Sequence, residues 1–124
     1  MNFQLRILIA EDNILNQKII SILLQRLGWH FCIVDNGLKA VNECRENQYD
    51  AVLMDIDMPV MNGWDATVQI KRNKPEIPVI ALTAYNEESF KEKSFAAGMD
   101  YFLAKPYNLN DIQRTVLKSI GRAS

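Results

Sequence analysis

The chain has 124 residues, 48% hydrophobic and 23% charged, the balance of one globular domain with one core, taken here as residues 1–124 with the core at about 5–120. A formal net charge of -1 argues against a general attraction to nucleic acid or anionic lipid, and no apolar run approaches the ~20 residues that span a bilayer. The N-terminal stretch meets Glu11-Asp12 too soon to be a signal peptide, and Cys32 and Cys44 lack the spacing of a zinc or disulfide framework, so a reducing cytoplasm is expected.

Along the chain, short apolar runs alternate with stretches of helical period. LRILIA (5–10) reads as a strand. Ile14, Leu15, Ile19, Leu23 and Leu27 follow at helical spacing and predict a helix ended by Gly28. HFCIV (30–34) is a second strand; Asn36-Gly37 starts a helix carrying Leu38, Val41 and Cys44 through about Glu46. AVLMD (51–55) is a third strand, and Asn62 caps a helix with Trp64, Val68 and Ile70 that closes near Lys71-Arg72. PVIALT (78–83) is a fourth strand, followed by a helix from Asn86 to Ala97 with Gly98 behind it. YFLA (101–104) is the fifth, and Asn108 caps a last helix with Asp111 in its first turn and Ile112, Val116, Leu117 and Ile120 on its apolar face. Strands that are continuously apolar are buried on both faces, as in a parallel sheet covered by helices. Five such βα units with right-handed crossovers predict an open, doubly wound α/β domain.

Polar residues fall where the apolar runs stop. Glu11-Asp12 follows the first strand, Asp55 ends the third, Thr83 ends the fourth, and Lys105-Pro106 follows the fifth. In an open α/β sheet those carboxyl ends lie along one edge, where ligands bind. Carboxylates gathered there repel one another and call for protons or a cation. With no His or Cys cluster beside them, a hard cation fits: Mg²⁺ first, Mn²⁺ as the alternative. A lysine ammonium and a threonine hydroxyl at the same edge complement phosphoryl oxygens. The residues alone point to Mg²⁺-assisted phosphoryl chemistry at a carboxylate.

In that order and at those strand ends, Glu11-Asp12, Asp55 followed by Met58-Pro59-Val60-Met61-Asn62-Gly63, Thr83-Ala84 and Lys105-Pro106 resemble the receiver domain of two-component response regulators, over essentially the whole chain. The resemblance implies a flavodoxin-like (βα)5 fold with strand order 2-1-3-4-5. It implies that Asp55 takes a phosphoryl group from a phosphohistidine. Asp12 would ligate Mg²⁺ directly and Glu11 mainly through bound water, with Asp55 and the backbone carbonyl of Asp57 completing the protein ligands. Thr83 would donate to the phosphoryl group, and Lys105 would pair with Asp55 and then with the phosphate. The Lys105-Pro106 peptide would be cis. Thr83 and Phe102 would act as the switch that alters the face of helix four, strand five and helix five. Asp57 and Tyr85 would modulate the lifetime of the phosphoryl group. The domain would catalyse its own phosphorylation and dephosphorylation without being an enzyme in the usual sense. Glu11-Asp12-Asn13 with Asn16-Gln17, ALTAY (81–85) and AAGMD (96–100) look most like receivers of hybrid sensor histidine kinases, which exchange phosphoryl groups with a histidine phosphotransfer domain. A stand-alone single-domain regulator is the alternative. The donor histidine lies on a partner, since His30 is the only histidine. A homodimer through Phe90, Phe95 and Tyr107 is a further expectation.

Each residue also has a plainer interpretation. Glu11-Asp12 could be a charge pair at a helix N-terminus, Asp57 a solvated turn residue, Thr83 a strand end and Phe102 core. Trp64 is expected to pack at the start of its helix, and His30 to be a surface or packing residue. Asp55-Ile56-Asp57 also matches the Asp-x-Asp of haloacid-dehalogenase-like phosphatases, but here the acidic pair precedes the nucleophile and little follows Lys105. An FMN-binding module would need a Ser/Thr/Gly-rich phosphate loop, and the loop after the first strand is acidic. A receiver that only binds, without phosphorylation, is disfavoured by the full set of Glu11, Asp12, Asp55, Thr83 and Lys105.

Overall fold

The five apolar runs become strands of a single parallel sheet in a computed structural model that describes residues 4–84 and 88–121. They are β1 (Arg6–Ala10), β2 (His30–Val34), β3 (Ala51–Asp55), β4 (Val79–Thr83) and β5 (Tyr101–Ala104), in the order β2-β1-β3-β4-β5. Every residue of β3 and β4 is buried, which is why neither run alternates with polar residues. The helices are α1 (Ile14–Leu27), α2 (Gly37–Glu46), α3 (Gly63–Asn73), α4 (Glu88–Ala97) and α5 (Leu109–Ser119). The expected start of the fourth helix at Asn86 lies outside the described residues. No helix among those described is long and apolar enough to cross a membrane.

An asparagine caps four of these helices. Asn13, Asn36, Asn62 and Asn108 accept from the backbone amides of Asn16, Lys39, Asp65 and Asp111, each cap contributing about 1 kcal/mol. Asp111 returns the bond to Asn108, closing a capping box on α5. Gly28 ends α1 at φ +77, a left-handed conformation that glycine adopts without a Cβ clash.

The side chains of the sheet alternate between two cores. Ile7, Ile9, Leu53, Leu82 and Leu103 face α1 and α5, packing on Ile20, Leu24, Ile112 and Val116. Leu8, Val52, Met54, Val79 and Ala81 face the other side, against Val41, Cys44, Ala66 and Ile70. Two sequence expectations are corrected here. The stripe expected on α1 faces the sheet only in part: Leu23 and Leu27 are partly buried against the core, but Ile14, Leu15 and Ile19 are exposed, while Ile20 and Leu24 are fully buried. The helix is apolar on more than one side, so period alone admits two stripes. The sheet-facing one begins at Gln17, whose amide donates to the Glu11 carbonyl at 2.6 Å. On α2, Leu38 is exposed while Val41 and Cys44 are buried. His30 is exposed and bonded to Gln4, and both cysteines are free thiols.

Candidate active site at the carboxyl edge of the sheet

Strand register brings the polar strand ends together. Asp55 lies opposite Leu82, one residue short of Thr83, and Thr83 lies opposite Ala104, one residue short of Lys105. The chain leaves β1 and β5 under backbone control: the Glu11 amide donates to Val34 O at 3.0 Å, and the Lys105 amide to Thr83 O at 2.8 Å. After β3, the loop to α3 closes through the Gly63 amide on Ile56 O at 2.8 Å. A Cβ on Gly63 would collide with the Asp55 carbonyl, so only glycine lets α3 start against the end of β3. Within this loop Val60 sits at φ +69, a strained conformation for a β-branched residue that the sequence does not announce. The Lys105-Pro106 peptide is cis, as expected.

Alternation along the strands decides which side chains meet. Glu11, Asp55 and Lys105 continue the phase of Ile9, Leu53 and Leu103, on the α1–α5 side. Thr83 and Phe102 continue the phase of Ala81, on the other side. Lys105 Nζ accordingly lies 3.2 Å from Glu11 Oε1 and 3.7 Å from Asp55 Oδ2. The sequence-based expectation paired Lys105 with Asp55; the closer partner is Glu11, which is buried and has no other cation at that distance among the described residues. Glu11, Asp12 and Asp55 each offer a carboxylate oxygen within 4.8 Å of one another. Glu11 and Asp55 are buried and Asp12 is exposed, so the cluster opens to solvent on one side.

This crowding is written into the acid–base chemistry. The Asp55 carboxyl is pushed up from 3.8 to about 7, first by burial, then by the charge of Glu11 and a hydrogen bond with it; Lys105 and the Ile56 amide pull the other way. A carboxylate held back from ionising by a neighbouring carboxylate is the environment that a divalent cation relieves. Three oxygen donors without histidine or thiolate fit Mg²⁺ or Mn²⁺ in donor type. Burial, with the charges of Glu11 and Asp55, also raises the Tyr107 phenol.

Other expected residues fall nearby. Thr83 is buried at the end of β4. Asp57 is exposed in the loop after β3 and lies outside the carboxylate triad. Tyr85 lies outside the described residues. Phe102 is half-buried and stands edge-on to Phe95 of α4. Trp64 packs at the start of α3, as expected, against Phe90 and Ser94 of α4. Sequence reasoning missed Asn13 as a cap, although an asparagine just before an apolar periodic stretch is its usual signal. It also missed a cleft of about 270 Å³ beside Lys105, lined by Asn16, Ile19, Lys105, Pro106 and Tyr107. Those residues come from two distant segments, and no local pattern joins them.

Comparison with known proteins agrees with this geometry. Residues 7–117 match the family model described as response regulator receiver domain. The chain is 38% identical over 112 residues to hybrid signal transduction histidine kinase I of Dictyostelium discoideum, covering 83% of this chain and 6% of that protein. It is 38% identical, at a TM-score of 0.90, to the receiver domain of sensor histidine kinase PA1611 from Pseudomonas aeruginosa PAO1, a structure with a magnesium ion coordinated in the active site cleft; 96% of this chain and 99% of that one are covered. It is 28% identical, at a TM-score of 0.87, to the receiver domain of Ssk1 in complex with the histidine phosphotransfer protein Ypd1 from Saccharomyces cerevisiae, over 95% of this chain and 90% of that one.

Proposed function

The chain belongs to the response regulator receiver family of two-component systems, and from that premise we propose that Asp55 is its phosphoacceptor, taking a phosphoryl group from a phosphohistidine. The observation that carries this reading is the convergence of Glu11, Asp12 and Asp55 within 4.8 Å, with the Lys105 ammonium in contact with two of them. An Asp55 carboxylate oxygen attacks phosphorus in line with the histidine nitrogen. The O–P bond forms as the P–N bond breaks, and the departing imidazole nitrogen keeps the electron pair. Asp55 needs no base once it is ionised. Thr83 donates its hydroxyl to a phosphoryl oxygen, and Lys105 shifts from its two carboxylates toward the transferred group.

Asp12, Asp55 and the backbone carbonyl of Asp57 are the direct protein ligands for Mg²⁺ in this reading, Glu11 acting mainly through bound water; Mn²⁺ has the same preference for oxygen donors. When bound, the ion neutralises the carboxylates and stabilises charge on the phosphoryl oxygens. The side chains of Asp57 and Tyr85 tune how long the phosphoryl group lasts. Thr83 and Phe102, on one face of neighbouring strands, carry the change to α4, β5 and α5, through which two copies can pair.

The partner is a histidine kinase or phosphotransfer protein, consistent with the receiver–phosphotransfer complex of Ssk1 and Ypd1. We place its docking surface on α1. Ile14, Leu15, Ile19 and Ile22 are exposed there, and Ile19 borders the cleft that reaches Lys105. A helix bearing the phosphohistidine can bury those residues only while lying across the mouth of the site. The chain spans 6% of the hybrid kinase it resembles, and we propose the receiver of a hybrid histidine kinase, working in the cytoplasm where its free thiols stay reduced.

The test is intact-mass spectrometry after incubation with acetyl phosphate and Mg²⁺. One added phosphoryl group is expected, absent in Asp55→Asn and absent with chelator. If neither acetyl phosphate nor a phosphorylated phosphotransfer protein adds mass, Asp55 is not a phosphoacceptor.

A further inference from the structure

The attachment of α4 is unusual among the five helices. Its one buried residue among those described is a serine, Ser94. Ser94 Oγ accepts from Trp64 Nε1 at 2.9 Å and donates to Phe90 O at 2.8 Å. The Trp64 ring stands 5.2 Å from the Phe90 ring, and Lys93 Nζ lies 4.7 Å from its centroid. So α4 is fastened to α3 by a polar bond and ring contacts rather than by aliphatic side chains sunk into the core. Elements with few buried apolar contacts are those that rearrange at low cost.

The residue after Ser94, Phe95, makes the contact of α4 with β5. Phe95 is 55% exposed, yet its ring meets Phe102 of β5 in an edge-to-face pair, centroids 4.9 Å apart and planes at 83°. Phe102 lies opposite Ala81 in the sheet and Thr83 lies opposite Ala104, so Phe102 and Thr83 are diagonal neighbours on the face that α4 covers. Any rotation of Phe102 toward Thr83 must give up the edge-to-face pair and leave Phe95 more exposed.

We propose that Phe95 is a restraint on the switch: anchored through α4 and the Trp64–Ser94 bond, it holds Phe102 edge-on to α4, the outward state of the proposed switch, against a turn inward toward Thr83, and thereby lowers the affinity of the Asp55 site for a phosphoryl group. The inference rests on the phosphoacceptor reading of Asp55 and on the switch role proposed for Thr83 and Phe102. It follows from linkage. A ligand that binds only the inward state is weakened by the fraction of molecules in that state. An edge-to-face pair favours the outward state by an amount that corresponds to roughly a 2- to 10-fold shift in population.

Beryllofluoride with Mg²⁺, a non-hydrolysable mimic of the phosphoryl group, is the probe, titrated by calorimetry into wild type, Phe95→Ala, Phe95→Leu, Phe102→Ala and the Phe95→Ala/Phe102→Ala pair. Circular dichroism checks folding of each; Phe95 is exposed enough for both substitutions to be tolerated. Phe95→Ala should bind roughly 2- to 10-fold more tightly than wild type. Phe95→Leu, with apolar bulk but no ring edge, should fall between them. In the Phe102→Ala background Phe95→Ala should have no effect. Unchanged or weaker binding in Phe95→Ala, or the same gain with Phe102 absent, overturns the restraint while leaving the phosphoacceptor reading intact. Failure of wild type to bind beryllofluoride removes that reading, and the restraint with it.

Discussion

Mg²⁺ affinity should rise with pH between 6 and 8, and the rise should depend on Asp55. To act as a ligand the Asp55 carboxyl has to be ionised, and in the metal-free protein its pKa stands at about 7 instead of 3.8. A ligand that must first lose a proton binds its metal more weakly by a factor of 1 plus the ratio of protonated to ionised form. For a pKa of about 7 that factor is about 11 at pH 6, about 2 at pH 7 and about 1.1 at pH 8, so affinity should climb roughly tenfold across the range. The same shift acts on stability with a definite sign. Because the folded pKa lies above the unfolded one, the folded state holds a proton that the unfolded chain has released, and metal-free stability falls as pH rises from about 4 to about 7. Asp55→Asn removes that penalty, so with chelator present at pH 7.5 its Tm should exceed that of wild type by several degrees, since about 1 kcal/mol moves Tm by roughly 3–6 °C in a domain of this size. Calorimetric Mg²⁺ titrations at pH 6, 7 and 8, with thermal melts in chelator, measure both effects. A Mg²⁺ affinity that is constant over this range, or a lower Tm for Asp55→Asn, would refute the crowding argument.

Three further outcomes follow from the same geometry. Lys105→Gln leaves two buried carboxylates without their cation and should destabilise the metal-free protein by about 1–3 kcal/mol at pH 8 and less at pH 5, where Asp55 is protonated; equal loss in urea unfolding at both pH values would contradict the ion pairing. Gly63→Ala forces a methyl against the Asp55 carbonyl and should lower stability by about 2–3 kcal/mol, read as an earlier urea midpoint with an unchanged slope; an unchanged midpoint would show that α3 is free to back away. Leu15→Asp, on the exposed side of α1, should slow phosphoryl transfer from a phosphotransfer protein by about tenfold or more while changing acetyl phosphate labelling far less; equal effects on the two donors would remove α1 as the docking surface.

Strands and caps were legible because they are local events. HFCIV, AVLMD and YFLA announce strands by composition, and β2, β3 and β5 occupy the expected ranges; burial on both faces holds for β3 but not for the edge strands, since no residue of β2 and only Leu103 of β5 is buried. Asn62 and Asn108 cap where the start signals place them. Glu11, Asp55, Thr83 and Lys105 were legible because each is the first polar residue after an apolar run, with Asp12 directly behind Glu11, and parallel pairing puts all such positions on one edge. What period alone could not decide was the face. On α1 two apolar stripes compete, and the burial of Ile20 and Leu24 rather than Ile14, Leu15 and Ile19 is settled by the sheet surface across from them.

The same uncertainty of face explains the lysine. From the chain, Lys105 is one charge among several at an edge, and Asp55 is the obvious partner. In three dimensions the phase of the strands puts Glu11, Asp55 and Lys105 on the α1–α5 side, and the deeper carboxylate, Glu11, takes the shorter contact. The lysine thus sits between two acids that cannot both ionise cheaply in a buried place. Bringing a phosphoryl group to Asp55 adds negative charge at the shared end of that bridge, which is where the ammonium has least reason to stay with Glu11. The acid that ends the apolar run VLM is therefore costly in the metal-free protein; the lysine with two partners offsets part of that cost, and under the proposed function a divalent cation would offset the rest.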